Sequence, residues 1–343
     1  MRRFSPFILL LVVGVIVASA AEVAFSSVQE AFRKELTNKV AALEKKNATA
    51  VAGKDGWLFL TSELRFLAQG VFWGDAAAKV SRAKKRDAAD PIPAIVDFDR
   101  QLKARGIKLY VVPIPAKAAI YPDKIGGETQ IEPTNTAPVL QQFYGELGRH
   151  DVDFIDLTAT LSGHLTDPHG PMYCRTDTHW SGNGLFYAAQ AIAEEVRQAL
   201  PGEPPKLATL ADWKEVSING DLAALMPGAK IEPEKLWLFQ LSHALQPDPN
   251  SPLLVIGDSH TLVFHDFLAE RAGLLDQLTI ALKYAPDLIG TRGSGATAVR
   301  VSLYRRAKED PNYLAKKKVV LWCFAARELT ESDQGWVVQP IAK

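Results

Sequence analysis

Four short apolar-rich runs, separated by amphipathic stretches, constrain this chain more than anything else in it. They are Ile107–Pro113, Val152–Leu157, Leu253–Ile256 and Lys318–Phe324. A strand with one wet face alternates apolar and polar residues, whereas an apolar strand without alternation is covered on both faces. Helical patterns lie between the runs. Ile92–Ala104 is amphipathic and ends at Gly106. Residues 135–148 and 184–200 follow, the latter with Leu185, Ala188, Ala189, Ile192 and Val196 on one face. Thr261–Ala272 reads as a further helix, directly after the third apolar run. Strand and helix in alternation predict an α/β fold: a parallel sheet flanked by helices. Gly53–Leu60 reads as a turn entering a strand, residues 81–90 as a solvated charged stretch, and residues 201–250 as proline-rich and irregular.

At 343 residues, 47% of them apolar, the chain has ample material for a buried core. Lys plus Arg and Asp plus Glu are equal at 39 each, so no overall basic balance points to nucleic acid. The N-terminus carries the targeting signal. Arg2 and Arg3 precede the apolar run Pro6–Val17, and Ala18-Ser19-Ala20 fits signal-peptidase cleavage. Only Ser19 and Glu22 are polar between Phe7 and Phe25, which also suits an uncleaved anchor. The expected division is a signal peptide or membrane anchor over 1–25, a helical stalk over 26–50, and the functional domain over 51–343. The expected location is the periplasm, either tethered to the inner membrane by the first segment or released from it. In an oxidising compartment Cys174 and Cys323 are free to form a single bridge; two buried thiols is the plainer reading.

Two polar islands about eighty residues apart carry the candidate chemistry. One is Arg175-Thr176-Asp177-Thr178-His179-Trp180; the other is Gly257-Asp258-Ser259-His260, at the end of Leu253–Ile256. Open α/β sheets bind ligands at the carboxyl ends of their strands, which is where this order would place Ser259. A serine hydroxyl is a weak nucleophile near neutral pH and needs a base. Histidine suits that role, and an Asp two residues earlier can accept its Nδ1 proton. Taken singly, each island has a bland explanation: Asp258 or Ser259 as a helix N-cap, Asp177-Thr178-His179 as a surface loop. Together they supply a nucleophile, a base and a group to orient the base. A second reading makes Asp177, His179, Asp258, His260, His265 and Asp266 ligands of zinc or another divalent ion, but no His-Glu-x-x-His supports it.

These residues resemble the alginate O-acetyltransferase group of SGNH-hydrolase-like proteins. The resemblance extends through Gly53–Phe59, Val112–Lys117, Tyr121-Pro122, Tyr173–Trp180 and Gly220–Ala223. The Asp and His precede the Ser here, the reverse of ordinary SGNH esterases and the order of this permuted family. The resemblance implies an SGNH-hydrolase-like parallel sheet, preceded by the signal or anchor helix. It implies Ser259 as nucleophile, His179 as base and Asp177 as its orienting carboxylate, with no cofactor and no metal. The Gly and Asn of the usual middle SGNH blocks have no clear match. The Ser259 N–H is the first candidate oxyanion donor, and Arg292 and Gly293, in the glycine-containing stretch 291–295, are candidates for the oxyanion or substrate. The implied activity is O-acetylation of an exported, alginate-like or other exopolysaccharide through an acetyl-serine. The implied partners are the polysaccharide acceptor, a membrane-bound acyltransferase as acetyl donor, and other polysaccharide export proteins. A periplasmic carbohydrate acetylesterase with the same triad, and a non-catalytic scaffold of an export complex, are the alternatives.

Overall fold

Residues 25–342, apart from 201, 203–206, 208, 227, 229 and 294, are described by a computed structural model. The signal or anchor expected over 1–25 lies outside the described residues but for Phe25. Among the described residues no helix is long and apolar enough to cross a membrane.

The strands are β1 (Ala50–Ala52), β2 (Leu58–Leu60), β3 (Lys108–Ile114), β4 (Asp153–Phe154), β5 (Ala211–Ile218), β6 (Glu234–Leu241), β7 (Leu253–Gly257), β8 (Asp287–Gly290) and β9 (Val319–Ala325). Five of them form one sheet in the order β4-β3-β9-β7-β8, and every pairing in it is parallel. Every residue of β7 and β9 is buried, as is all of β3 after Lys108. That is why these segments lack polar alternation: both faces of the sheet are covered. The last strand in sequence occupies the centre. Along one edge Val319–Ala325 matches Lys108–Ile114, and along the other Val319–Cys323 matches Leu253–Gly257.

The longer helices are α1 (Ser27–Glu44), α2 (Thr61–Ala68), α3 (Pro91–Lys103), α4 (Pro138–Arg149), α5 (Gly182–Arg197), α6 (Leu274–Leu282) and α7 (Ala296–Glu309). Helix α3 starts where the Asp90 side chain accepts the Ile92 N–H at 3.0 Å, with Pro91 at the first position. Its apolar stripe, Ile92, Ile95, Phe98 and Leu102, faces the core. Helix α5 starts at Ser181, whose Oγ accepts the Gly184 N–H at 3.1 Å, and it buries Leu185, Ala188, Ala189, Ile192 and Val196. Helix α1 covers most of the expected stalk, and its Phe32, Leu36 and Val40 are buried in the same core as the sheet.

Two local expectations are corrected, and one strand goes unannounced in the sequence. The segment 261–272 is not a helix. A single 3-10 turn, Ser259–Thr261, is followed by a compact loop in which Phe264, Leu268 and Arg271 have positive φ. That loop buries Val263 and Phe264 without helical periodicity. The region 201–250 is not wholly irregular, because β5 and β6 pair there as an antiparallel hairpin. The edge strand β8 is only four residues long, too short to announce itself in sequence. Cys174 and Cys323 are buried free thiols.

Candidate active site

The nucleophile turn is built from the end of β7. A β-carbon on Gly257 would stand 2.3 Å from the Cys323 carbonyl oxygen, so only glycine lets β7 approach β9 at this level. Asp258 then ties the two strand ends together. Its Oδ1 accepts the His260 N–H at 2.9 Å and its Oδ2 accepts the Ala325 N–H at 2.7 Å. Burial works to raise the Asp258 carboxyl, but His260, Arg327 and the Ala325 N–H hold it well below the usual carboxylate range. Burial pushes the His260 ring down to about 4 despite Asp258, so the ring is neutral near pH 7. Ser259 stands between these two buried residues and is itself half-exposed.

The candidate base, His179, comes from the loop before α5. Tyr173 and Trp180 face each other across an isolated bridge, and Cys174 N–H donates to the His179 carbonyl at 3.1 Å. The Tyr173 hydroxyl donates to the Pro115 carbonyl just beyond β3. The Trp180 indole N–H donates to the His260 carbonyl at 3.0 Å. The loop is thereby held against the ends of both β3 and β7.

A hydrogen-bonded chain joins the two islands. His179 Nδ1 lies 2.7 Å from Asp177 Oδ1, and His179 Nε2 lies 2.8 Å from Ser259 Oγ. With Nδ1 donating to the carboxylate, Nε2 presents a lone pair to the serine O–H. Burial works to raise the Asp177 carboxyl. The hydrogen bond and charge of His179, with the N–H groups of Asp221 and His179, outweigh it and hold the group at about 2. The three residues expected from sequence are thus brought together at hydrogen-bond distance.

Two residues that hold this loop carried no assigned role in the sequence reading. The Asp221 N–H donates to Asp177 Oδ2 at 2.8 Å, and Asp221 Oδ1 accepts the Thr178 N–H at 2.7 Å and its hydroxyl at 3.0 Å. Glu234 accepts the N–H groups of Arg175 and Thr176, both at 2.8 Å. Asp221 lies in the motif Gly220–Ala223, which signalled a place but no role. Glu234 begins β6 and reaches the loop only because the hairpin forms, which local sequence does not show.

Arg292 and Gly293 follow β8, level with the nucleophile turn, where Thr291 N–H donates to the Gly257 carbonyl at 3.0 Å. Arg292 is exposed, its guanidinium 3.8 Å from the centre of the Phe267 ring. Phe267 in turn meets the His179 ring edge-on at 5.5 Å. The structure places Arg292 on the rim of the site, one ring away from His179, and shows no hydrogen bond from Arg292 or Gly293 to Ser259 among the described residues. The short Ser259–Thr261 turn offers no long helix N-terminus to an oxyanion. The Ser259 N–H itself donates to no protein acceptor among the described residues.

Four of the six residues of the metal reading fall into two pairs, and His265 turns to a seventh residue, Asp276, with Asp266 Oδ1 3.8 Å from the His265 Nε2. Asp177 meets His179, Asp258 meets His260, and His265 meets Asp276 at 3.0 Å. Asp177, His179 and Asp221 do present ligand atoms within 4.8 Å of one another. Those of Asp177 and His179 are already engaged in the chain above, and burial beside Asp177 pushes the Asp221 carboxyl upward.

A five-stranded parallel sheet flanked by helices, with a serine beyond one central strand and an Asp-x-His loop beside it, is the arrangement of an SGNH-hydrolase-like domain. The sequence model of one such family, described as an SGNH hydrolase-like domain, acetyltransferase AlgX, matches residues 50–274. The chain belongs to that family. It is 30% identical over 199 residues to a protein of Pseudomonas syringae pv. tomato named "Probable alginate O-acetylase AlgJ", covering 56% of this chain and 46% of that relative. The protein of the same name from Pseudomonas aeruginosa is 31% identical over 178 residues, covering 52% and 41%. These matches span less than half the length of either relative. The O-acetyltransferase domain of Pseudomonas putida AlgJ superposes with a TM-score of 0.62 at 23% identity, covering 82% of this chain and 92% of that one, which shows a shared fold.

Proposed function

We propose that this protein is an O-acetyltransferase that acetylates hydroxyls of an exported, alginate-like polysaccharide through an acetyl-serine. The observation that carries the chemistry is the Asp177–His179–Ser259 chain, with both contacts of the imidazole at 2.7–2.8 Å. The names of the relatives, alginate O-acetylases, support the substrate class. In this reading His179 Nε2 takes the proton of Ser259 as Oγ attacks the acetyl carbonyl. The tetrahedral intermediate then expels the donor's leaving group, which takes that proton, and acetyl-Ser259 remains. A sugar hydroxyl attacks next, losing its proton to His179; collapse releases the acetylated sugar and returns the proton to Ser259. The Ser259 N–H is the first candidate for the oxyanion. In this reading Arg292, exposed on the rim, meets substrate rather than the oxyanion. Export to the periplasm by the segment 1–25, and acetyl supply by a membrane-bound acyltransferase within a polysaccharide export complex, belong to the same proposal.

Intact mass after incubation with an activated acetyl ester tests it. One added acetyl group that vanishes in Ser259→Ala is expected. An unchanged mass shift in Ser259→Ala overturns the assignment. Adding oligosaccharide separates the outcomes further: acetylated sugar marks a transferase, and acetate release unaffected by acceptors marks an esterase.

A further inference from the structure

Lys117 is fully buried and takes no part in the chemistry above. It begins the short helical turn Lys117–Ile120, three residues after β3 ends. Its ammonium donates to three backbone carbonyls: Leu58 at 2.7 Å, Asp177 at 2.6 Å and Arg175 at 3.4 Å. An ammonium has three N–H donors, so this set uses all of them. Burial alone pushes the group toward its neutral form; the opposing charges are Glu63, Asp177 and Glu234.

Two features set this lysine apart from a general strut. Burying an ammonium is expensive, and an apolar side chain of similar volume would fill the space at less expense. The acceptors also lie on two pieces of chain far apart in sequence, which the Leu58 N–H joins directly by donating to the Arg175 carbonyl at 2.8 Å and Lys117 clamps from one side. Leu58 belongs to β2, while Arg175 and Asp177 belong to the base loop. The bond to the Asp177 carbonyl fixes the peptide from which the carboxylate is launched. Asp221 fixes that carboxylate from the far side, through Oδ2. The residue that orients the imidazole is therefore gripped at both its backbone and its side chain.

We propose that Lys117 is a positioning residue for acyl transfer: its ammonium locks the Asp177 backbone so that Asp177 holds His179 in line with Ser259. The proposal rests on the triad reading above. The test is a double-mutant cycle of Lys117→Met and Asp177→Asn, following acylation by an activated acetyl ester, with Ser259→Ala as control. In the otherwise intact enzyme Lys117→Met is expected to lower kcat roughly 10- to 100-fold per folded molecule, with KM within about twofold. In the Asp177→Asn background the same change is expected to alter kcat by less than about threefold, because the two residues act along one path. A strut for the fold alone would lower the melting temperature and leave kcat per folded molecule unchanged; that result overturns the proposal, as does an equal loss in both backgrounds. If Lys117→Met does not fold, Lys117→Gln, which retains two N–H donors, enters the same cycle, and wild-type kcat in it is equally fatal. Failure of both variants to fold makes Lys117 a staple of the fold and also overturns the positioning role. Acylation that survives Ser259→Ala sinks the triad reading instead, so the two failures are told apart.

Discussion

The indole N–H of Trp180 donates to the carbonyl oxygen of His260 at 3.0 Å. The residue after His179 is thereby bonded to the residue after Ser259. A single hydrogen bond spans two segments eighty positions apart in sequence and sets the gap that the His179–Ser259 contact must close.

Trp180→Phe removes that bond and keeps most of the ring. The buried carbonyl of His260 loses its indole partner, which is expected to lower stability by about 1–3 kcal/mol. The rate of Ser259 acylation should fall roughly 10-fold or more, because the base is no longer held in register. Urea unfolding and single-turnover mass spectrometry read the two effects separately. A destabilised variant with an unchanged acylation rate would show that the bond serves the fold only.

Gly220→Ala is expected to be more damaging than any ordinary small substitution. A β-carbon there would stand 2.1 Å from the Thr176 carbonyl oxygen and 2.7 Å from the Asp177 nitrogen. The turn must back away, and the Asp221 N–H then leaves Asp177 Oδ2. Loss of acylation by about 100-fold is expected from a displacement of this kind. A crystal structure of the variant should show the Asp221 turn shifted; an unmoved turn with full activity would refute the argument.

Acid should destabilise the protein in two distinct windows. The His260 ring falls from 6.5 to about 4 on folding, so between those values the unfolded chain binds a proton that the native ring refuses. Stability contributed by neutral His260 is full above the unfolded value and declines as pH drops toward 4, at about 1.4 kcal/mol per pH unit. Asp177, lowered from 3.8 to about 2, takes over below that: its contribution is present above 3.8 and is lost as pH falls toward 2. Urea midpoints across a pH series should therefore lose the upper slope in His260→Gln and show a shallower lower slope in Asp177→Asn, the remainder coming from the lowered carboxyl of Asp258. Parallel curves for wild type and His260→Gln between pH 6.5 and 4 would contradict the first assignment.

A chelator separates the triad from the metal reading. Because Asp177 and His179 already spend their ligand atoms on each other, Ser259 and Asp221, prolonged dialysis against EDTA is expected to leave Ser259 acylation unchanged. Loss of acylation on dialysis, restored by a divalent ion, would favour the Asp177, His179 and Asp221 group as a metal centre.

The central strands were legible because burial on both faces leaves an unbroken apolar record: Leu253–Ile256 and Lys318–Phe324 were read from that pattern and lie within a residue of β7 and β9. The Asp-x-His and Gly-Asp-Ser islands were legible for a related reason, since each is a local turn whose polar residues interrupt an apolar setting. Thr261–Ala272 misled because apolar residues at near-helical spacing also suit a compact loop, and only the positive φ values of Phe264, Leu268 and Arg271 distinguish the two. Glu234 and the Lys117 contacts were invisible for a deeper reason. They act on backbone groups 58 to 60 residues away, and backbone carries no sequence signature.

The strand made last lies in the middle of the sheet. The β4-β3 pair and the β7-β8 pair can each form early, yet they share no hydrogen-bonded edge until Val319–Ala325 slides between them. The base loop is moored to the end of β3 and the nucleophile to the end of β7, so β9 is the spacer that sets their separation. Completion of the site therefore depends on β9 as much as on the two segments that carry its residues. A chain interrupted before residue 319 would leave the Trp180–His260 bond to hold the two halves without their common strand, and partial synthesis or C-terminal trimming should give inert protein rather than weakened enzyme.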